Sequence, residues 1–540
     1  FSRDTDFLKQ RYPSQVINTQ LLHGHAALSS DFKALRENER CYLQEIDIPD
    51  DRDRGFDNAE PGVIAAEWFT SRKRGLLAPF GVGTIDQALL AVLQTKHFFV
   101  RLLGLAGKTV VLDEVHAYDA YMLVLFKRLL EWLAVLGCAV VLLSATLPAP
   151  RREALLRAWS DPAAADEPLA PAPLISYPAI TWRCGERGGV IGFDAPPKKV
   201  RLNWLNADER GDHPRLAGAL RTALRDGGCA AVICNTVGRA QEMYAFLRDA
   251  LPETEVSLFH ARYPYDERMD REEAALRQFG KPIENPNRPH RAVLVATQVI
   301  EQSLDLDFDL MVSELAPVDL ILQRSGRLHR HTLPDPRPRP SPLANPELWL
   351  LAPPEREGLP AFPKRDRYVY DEHVLLRSWI ALRPLQELDT PARVASLIED
   401  VYDDARPCPT DSPLGLPTRW AETRDRLHQR RERDESKARR VAIYPPGSSE
   451  RDFLTQRNQG LEEDNPELHE TFQALTRLAG RAQQAVGRAE PYARRLPPAM
   501  EMIVRRRVGE THAVRRRPGT DGWPRETVGS AHPTATVGRA

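Results

Sequence analysis

Asp113-Glu-Val-His116 follows directly on the apolar run Thr109–Leu112, and two adjacent carboxylates in that place are equipped for phosphate chemistry. Parallel α/β proteins gather their ligands at the carboxyl ends of the strands. Hydrolysis of a nucleoside triphosphate needs one carboxylate to hold the magnesium ion that bridges the phosphates, and a neighbour to position the attacking water. Asp113 suits the first role and Glu114 the second, which is the Walker B arrangement. A solvated acidic strand end would look the same on four residues alone. Ser144-Ala-Thr146 closes the next apolar run, which begins at Ala139. Small hydroxyl residues are common turn formers, so its weight comes from the pairing. D-E-x-H and S-A-T end two successive strands joined by one helix.

The strongest single signal is Gln323-Arg-Ser-Gly-Arg-Leu-His-Arg330, preceded by the segment Thr297 to Asp305 after the apolar run Ala292–Ala296. Arg327 and Arg330 are three residues apart, a spacing that puts both guanidinium groups on one helical face. Such groups neutralise charge on a transferring phosphoryl and are worth roughly 10³ to 10⁵ in rate. A basic solvated helix is the plainer alternative, and the Thr297–Asp305 segment argues against it. A tempting reading fails: Gly104-Leu-Ala-Gly-Lys-Thr109 resembles a phosphate-binding loop, but the pattern needs Gly where the chain has Leu102. Such a loop also follows a strand and opens a helix, whereas Lys108-Thr109 leads into a strand. Ala106–Lys108 therefore reads as a turn, and the sequence holds no other Walker A candidate.

The elements that must carry these residues follow from hydropathy. Short β-branched runs alternate with helical stretches, the signature of parallel sheets covered on both faces. Thr109–Leu112 and Ala139–Leu143 read as strands, joined by a helix from about Tyr121 to Leu136. Further on, strands begin at Ala230, Val256, Ala292 and Leu310, with helices near Leu216–Arg225, Arg239–Leu251 and Arg271–Phe279. The reading is an α/β chain of two parallel-sheet lobes in tandem with a partial C-terminal accessory region. Residues 1–148 form the first lobe, 149–197 a Pro/Ala-rich connector and 198–333 the second lobe. Residues 334–476 are a linker and accessory region in which no chemistry is legible. In 477–540, rich in Arg, Gly and Pro, two readings compete: a basic arm that touches nucleic acid, or non-native sequence.

Composition bounds the rest. With 540 residues, 42% hydrophobic and 28% charged, the chain can bury several cores. Its formal net charge of −1 supplies no global attraction for a polyanion, so any nucleic-acid contact must be local. The six cysteines, Cys41, Cys138, Cys184, Cys229, Cys234 and Cys408, show neither C-x-x-C spacing nor a zinc pattern, which fits a reducing cytoplasm. No apolar run approaches the roughly 20 residues of a bilayer span, so no membrane partner is expected. The start at Phe1, without an initiator Met, predicts a piece of a longer protein.

The order of motifs resembles a superfamily 2 DExH helicase. Asp113-Glu-Val-His-Ala-Tyr-Asp119, Val82-Gly-Thr-Ile-Asp-Gln87 and Arg324-Ser-Gly-Arg-Leu-His-Arg-His331 are similar to the helicase-nuclease of type I CRISPR systems, over roughly residues 15–333. That resemblance implies two RecA-like lobes that close on ATP and Mg²⁺. It assigns Asp113 to the metal, makes Asp113, Glu114, His116, Arg327 and Arg330 catalytic, and sets Ser144, Thr146, Asp305 and Gln323 at the nucleotide. It also implies that Thr84, Asn235, Thr236, Thr297 and Gln298, with His260 and Arg262, hold a single-stranded DNA backbone. The implied partners are single-stranded DNA and the guide-RNA surveillance complex of a type I system. In that family a nuclease domain and a P-loop stand ahead of these motifs, and neither is expected in this sequence. An RNA helicase of the same superfamily, or a catalytically inactive nucleic-acid-binding remnant, are the competing functions.

Overall fold

A computed structural model of the chain describes residues 7–8, 10–11, 17–22, 63–64, 75–95, 98–160, 177–185, 187–206, 213–281, 288–301, 304–332, 339–410, 413–448 and 513–518 with 524–529. Cys41, Gln302, Ser303, residues 161–176 of the connector and most of 477–540 lie outside the described residues.

In the first lobe β1 (Ile17–Leu22) lies between β2 (Val63–Ile64) and β3 (Phe80–Gly83), all parallel. Then come α1 (Ile85–Leu89), α2 (Phe98–Leu105), β4 (Thr109–Leu112), α3 (Ala120–Val135) and β5 (Ala139–Leu142). β4 and β5 pair in parallel register, Leu112 opposite Leu142, which brings their C-terminal ends side by side. The core helix is α3: Leu125, Phe126, Leu129, Leu130 and Leu133 recur at helical spacing and are buried. Its start is fixed by Asp119, whose carboxylate accepts from the Met122 N–H at 2.8 Å. The stretch rejected as a phosphate loop is indeed a turn. Gly107 has φ 70°, and Lys108 Nζ donates to the carbonyls of Leu76 (2.6 Å) and Ala78 (2.5 Å). That lysine is occupied with holding the turn into β4, and burial pulls it down to about 8.

The connector contains α4 (Ala149–Ser160) and a hairpin of β6 (Ala179–Cys184) with β7 (Arg187–Gly192). The second lobe follows as β8 (Lys198–Asn206), α5 (His213–Ala223), β9 (Gly228–Ile233), α6 (Val237–Ala250), β10 (Glu255–Phe259), α7 (Tyr265–Phe279), β11 (Arg291–Ala296), β12 (Leu310–Glu314) and α8 (Val318–Ser325). The expected strands and helices of this lobe are all present. Beyond them come β13 (Glu347–Ala352), a short ladder of β14 (Glu355–Arg356) with β15 (Leu359–Pro360), α9 (Lys364–Val369), α10 (Glu372–Leu382), β16 (Glu387–Thr390), α11 (Val394–Tyr402) and α12 (Leu416–Val441). The sheet order is β10-β11-β9-β12-β13-β8-β16, parallel except for the antiparallel edge β16. β13 and β16, from a region where the sequence named no strand, thus extend the second-lobe sheet. Central strands β9 and β11 are buried on both faces, which is why they read as continuous apolar runs. A further hairpin pairs β17 (Ala513–Pro518) with β18 (Pro524–Gly529).

α12 ties the two lobes together. Its Leu416 and Leu427 belong to the second-lobe core, whereas Ala438, with Ala442 and Ile443 just beyond, belongs to the first-lobe core. At the α-helical rise its 26 residues span about 39 Å. Midway, Thr423 Oγ1 lies 2.9 Å from Nδ1 of buried His373, whose ring packs edge-on against Trp420.

Burial pulls both His329 and His373 from 6.5 to about 4, because each ring is held in a site that disfavours its charged form. Unfolding releases them to the ordinary value, so between pH 6.5 and about 4 the unfolded chain binds more protons than the folded one. The sign is then fixed: stability falls as pH drops through that window. His373→Gln is expected to flatten this acid loss, read as a smaller shift in urea midpoint between about pH 7 and about pH 5.

Candidate active site

The carboxylates stand where the strand ends put them. Asp113 is the first residue after β4 and is exposed, its Oδ1 accepting from the Glu114 N–H at 2.8 Å. Glu114 has φ 54°, a left-handed backbone that costs a non-glycine residue and is concentrated at functional turns. The following 3-10 turn, Val115 to Ala117, faces His116 toward the second lobe. His116 Nε2 lies 2.9 Å from the Gln323 side-chain amide nitrogen and 3.3 Å from Glu114 Oε2, while Nδ1 lies 3.3 Å from Ser144 Oγ. Ser144 in turn donates to the Thr146 carbonyl at 2.8 Å. Both ring nitrogens of His116 are thus engaged, so a chain of polar contacts runs from α8 of one lobe to the end of β5 in the other. Thr146 itself is buried. Arg151 Nη1 donates to the His116 carbonyl at 3.2 Å and braces the same turn from α4.

The arginines separate into three environments. Arg324 is fully buried: its guanidinium pairs with Glu301 at 2.6 Å and donates to Ser313 Oγ at 2.6 Å and to Tyr370 OH at 3.3 Å. Arg327 donates to the carbonyls of Leu304 and, at 2.7 Å, Glu301. Burial lowers its pKa, and it feels the charge of Glu114 from the opposite lobe. Arg330 is 41% exposed and pairs with Asp305 at 2.7 Å, a carboxylate also contacted by His331 Nε2 at 2.9 Å. Burial disfavours the charge on Asp305, but His331 and Arg330 outweigh it and hold the carboxyl below its ordinary value. The helical-face argument for Arg327 and Arg330 is corrected by the structure. α8 ends at Ser325, the chain turns at Gly326, and His329 has φ 43°, so the two guanidinium groups are placed by a loop.

The residues assigned to a nucleic-acid backbone are spread along one rim. Asn235 and Thr236 follow β9, His260 follows β10, and Thr297 and Gln298 follow β11, three neighbours in the sheet. Thr236 caps α6, its hydroxyl accepting from the Arg239 N–H at 3.4 Å. Gln298 Nε2 donates to the Asn235 carbonyl at 3.0 Å and to Tyr370 OH at 2.9 Å. Asn235, Thr297 and His260 are buried, with Asn235 Nδ2 committed to the Leu315 carbonyl at 2.9 Å. His260 accepts at Nδ1 from the Arg262 N–H at 3.3 Å, and its ring stacks on Tyr263 at 4.1 Å. Arg262 is exposed. In the first lobe Thr84 is exposed ahead of α1 and its side chain makes no cap bond.

Sequence reasoning missed the groups that hold this rim. Arg239, on the first turn of α6, bridges Glu314 at the end of β12 and Asp366 on α9, donating to Asp366 Oδ2 at 3.2 Å. Asp366 and Tyr370 come from the accessory region, where no pattern marked them. Among the described residues no cluster of three or more His, Cys, Asp or Glu could hold a metal by itself. A single exposed carboxylate fits an ion that takes its remaining ligands from phosphates and water.

A sheet with a carboxylate pair on its rim, facing across a lobe boundary to a glutamine and arginines on a second parallel sheet, is the two-lobed RecA-like architecture of a nucleic-acid helicase. In sequence and fold the chain is similar to the CRISPR-associated nuclease/helicases. The family model "CRISPR-associated nuclease/helicase Cas3, C-terminal" matches residues 226–333. The chain is 39% identical over 526 residues to the CRISPR-associated endonuclease/helicase Cas3 of Thermus thermophilus, covering 88% of this chain and 53% of that one. It resembles the crystal structure of T. fusca Cas3 with AMPPNP at 34% identity and TM-score 0.69, covering 82% of this chain and 48% of that one. A chain in a CRISPR RNA-guided surveillance complex, pre-nicking, matches at 32% identity and TM-score 0.62, over 82% of this chain and 50% of that one. The chain therefore spans about half the length of these relatives.

Among the described residues no helix is long and apolar enough to cross a membrane.

Proposed function

We propose that this chain is the motor portion of an ATP-driven single-stranded DNA translocase that unwinds target DNA for a nuclease domain in CRISPR antiviral defence. The observation that carries the reading is the chain of polar contacts from Gln323 through His116 and Ser144 to the Thr146 carbonyl, because it joins the two lobes at residues that the resemblance assigns to catalysis and the nucleotide. ATP would lie between the lobes, and Asp113 would hold a Mg²⁺ ion that withdraws charge from the phosphates. Glu114 would orient the attacking water, and Arg327 and Arg330 would meet the transferring phosphoryl from the second lobe. The rim of Asn235, Thr236, Thr297 and Gln298, with Thr84, His260 and Arg262, would hold the DNA backbone, contacts that fix position without reading sequence. The likeness to a chain in a surveillance complex supports a guide-RNA complex as partner, and the cytoplasm is where such an encounter is expected.

A binding-only role is favoured by one observation, the lack of a Walker A lysine in the sequence. The two readings separate on turnover. The chain by itself is expected to hydrolyse ATP negligibly; the full-length gene product is expected to hydrolyse it, faster with single-stranded DNA, and to stop on Glu114→Gln. Stimulation by RNA alone would sink the DNA assignment, and a full-length protein without turnover would leave binding as the function.

The inter-lobe chain makes its own prediction. In the full-length protein Gln323→Ala removes one hydrogen bond across the boundary, worth about 1 kcal/mol. DNA-stimulated ATP turnover is expected to fall about fivefold, the rate equivalent of that loss. Binding of a fluorescent ATP analogue should be little changed. Unchanged stimulation would show that the contact couples nothing.

A further inference from the structure

Arg426, Arg430, Arg433, Lys437 and Arg440 recur along α12 at alternating steps of four and three residues, and all five are exposed. At 3.6 residues per turn this spacing keeps them within an arc of about 80° along about 21 Å of helix. Of the intervening acids, Glu432 and Glu435 lie on other faces of the helix by the same periodicity, and Asp434 borders the stripe. Part of the charge is met locally. Arg426 contacts Glu372 at 3.4 Å, Arg430 contacts Asp371 at 3.7 Å and Lys437 contacts Asp434 at 3.5 Å. The Arg433 side chain donates from Nε to the Gln429 carbonyl, a bond that leaves its charge unneutralised. In a chain of net charge −1 this is a concentrated local field.

Position gives the stripe its meaning. At its start, Asp371 and Glu372 directly follow Tyr370, whose hydroxyl is hydrogen-bonded to Gln298 on the second-lobe rim. At its end, Gln94 donates to the carbonyls of Arg440 (3.0 Å) and Ala442 (2.9 Å). Gln94 lies just past α1, the helix that Thr84 precedes. The stripe thus runs from the neighbourhood of the rim in one lobe to that of Thr84 in the other.

We propose that this face of α12 is a second nucleic-acid contact, a track that takes the phosphates of a single strand as it passes between the lobes. The identity of the polyanion rests on the proposed motor reading; the location of the track does not. Basic side chains whose Cβ atoms are about 5 to 6 Å apart on one helical face present a row of positive charges suited to a chain of phosphates. Contacts of this kind bind without sequence preference and release counterions.

The test is binding of a labelled oligodeoxythymidine to the whole chain, by anisotropy across a salt series without nucleotide. Three neutralising substitutions are made together, Arg433→Gln, Lys437→Gln and Arg440→Gln. All three sites are exposed, and the single ion pair lost is of the surface kind that contributes little stability. An unchanged thermal midpoint verifies the fold. Each lost phosphate contact lowers the slope of log K against log salt by about 0.7 for a single strand, so a slope shallower by about 2 is expected. An identical slope for wild type and variant overturns the track, even where DNA-stimulated turnover upholds the motor. A shallower slope in a protein whose turnover ignores DNA upholds the track and removes the motor reading. A photo-crosslinker attached to the thiol introduced by Lys437→Cys should also capture the oligonucleotide; absence of the adduct counts against the track.

Discussion

Arg324→Ala is expected to destabilise the second lobe by about 3 to 5 kcal/mol, the usual loss when one partner of a buried ion pair is removed. The side chain is wholly buried, and its guanidinium satisfies Glu301, Ser313 Oγ, the Glu314 carbonyl and Tyr370 OH together. Without it Glu301 keeps a carboxylate that burial already pushes above its ordinary value, and the hydroxyls lose their donor. Arg324→Lys keeps a charge but cannot present a planar fork to several acceptors, so most of the loss should remain. Urea unfolding of the chain reads both variants. A loss under about 1 kcal/mol, the range of surface pairs, would contradict the burial of this network.

Arg330→Ala should behave in the opposite way. Its pair with Asp305 is nearly half exposed on both sides, so stability should move little. If Arg330 meets the transferring phosphoryl, ATP turnover of the full-length protein should drop about 10³-fold, the lower end of what an arginine finger supplies. An unchanged urea midpoint alongside lost turnover separates this residue from Arg324, six positions earlier in the same motif. Turnover within a few-fold of wild type would instead assign Arg330 to holding Asp305 alone.

The contrast between these arginines marks where sequence reading reached and where it stopped. Strands β9, β11 and β12 were legible because buried parallel strands must be apolar along their whole length, whereas β4, β5 and β10 were legible as β-branched or apolar runs although part of each is exposed. The carboxylates were legible because they sit immediately past such a run. The motif 323–330 announced itself as basic, but pattern alone could not tell a fully buried structural guanidinium from an exposed one. Helical spacing misplaced Arg327 and Arg330, since the chain leaves the helix at Gly326 and takes a left-handed step at His329. The Arg239–Asp366 bridge was invisible for another reason: its partners are 127 positions apart, and only the tertiary fold brings α9 against the rim. Likewise β13 alternates in burial and is held between β12 and β8, while the four-residue β16 becomes a strand by adding to the edge of β8.

The long helix seated in both cores has a mechanical consequence. A rod with each end embedded in a different core sets the separation between its anchors, since stretching it would break backbone hydrogen bonds. The distance between those two anchors is therefore the coordinate along which the two bodies resist displacement most.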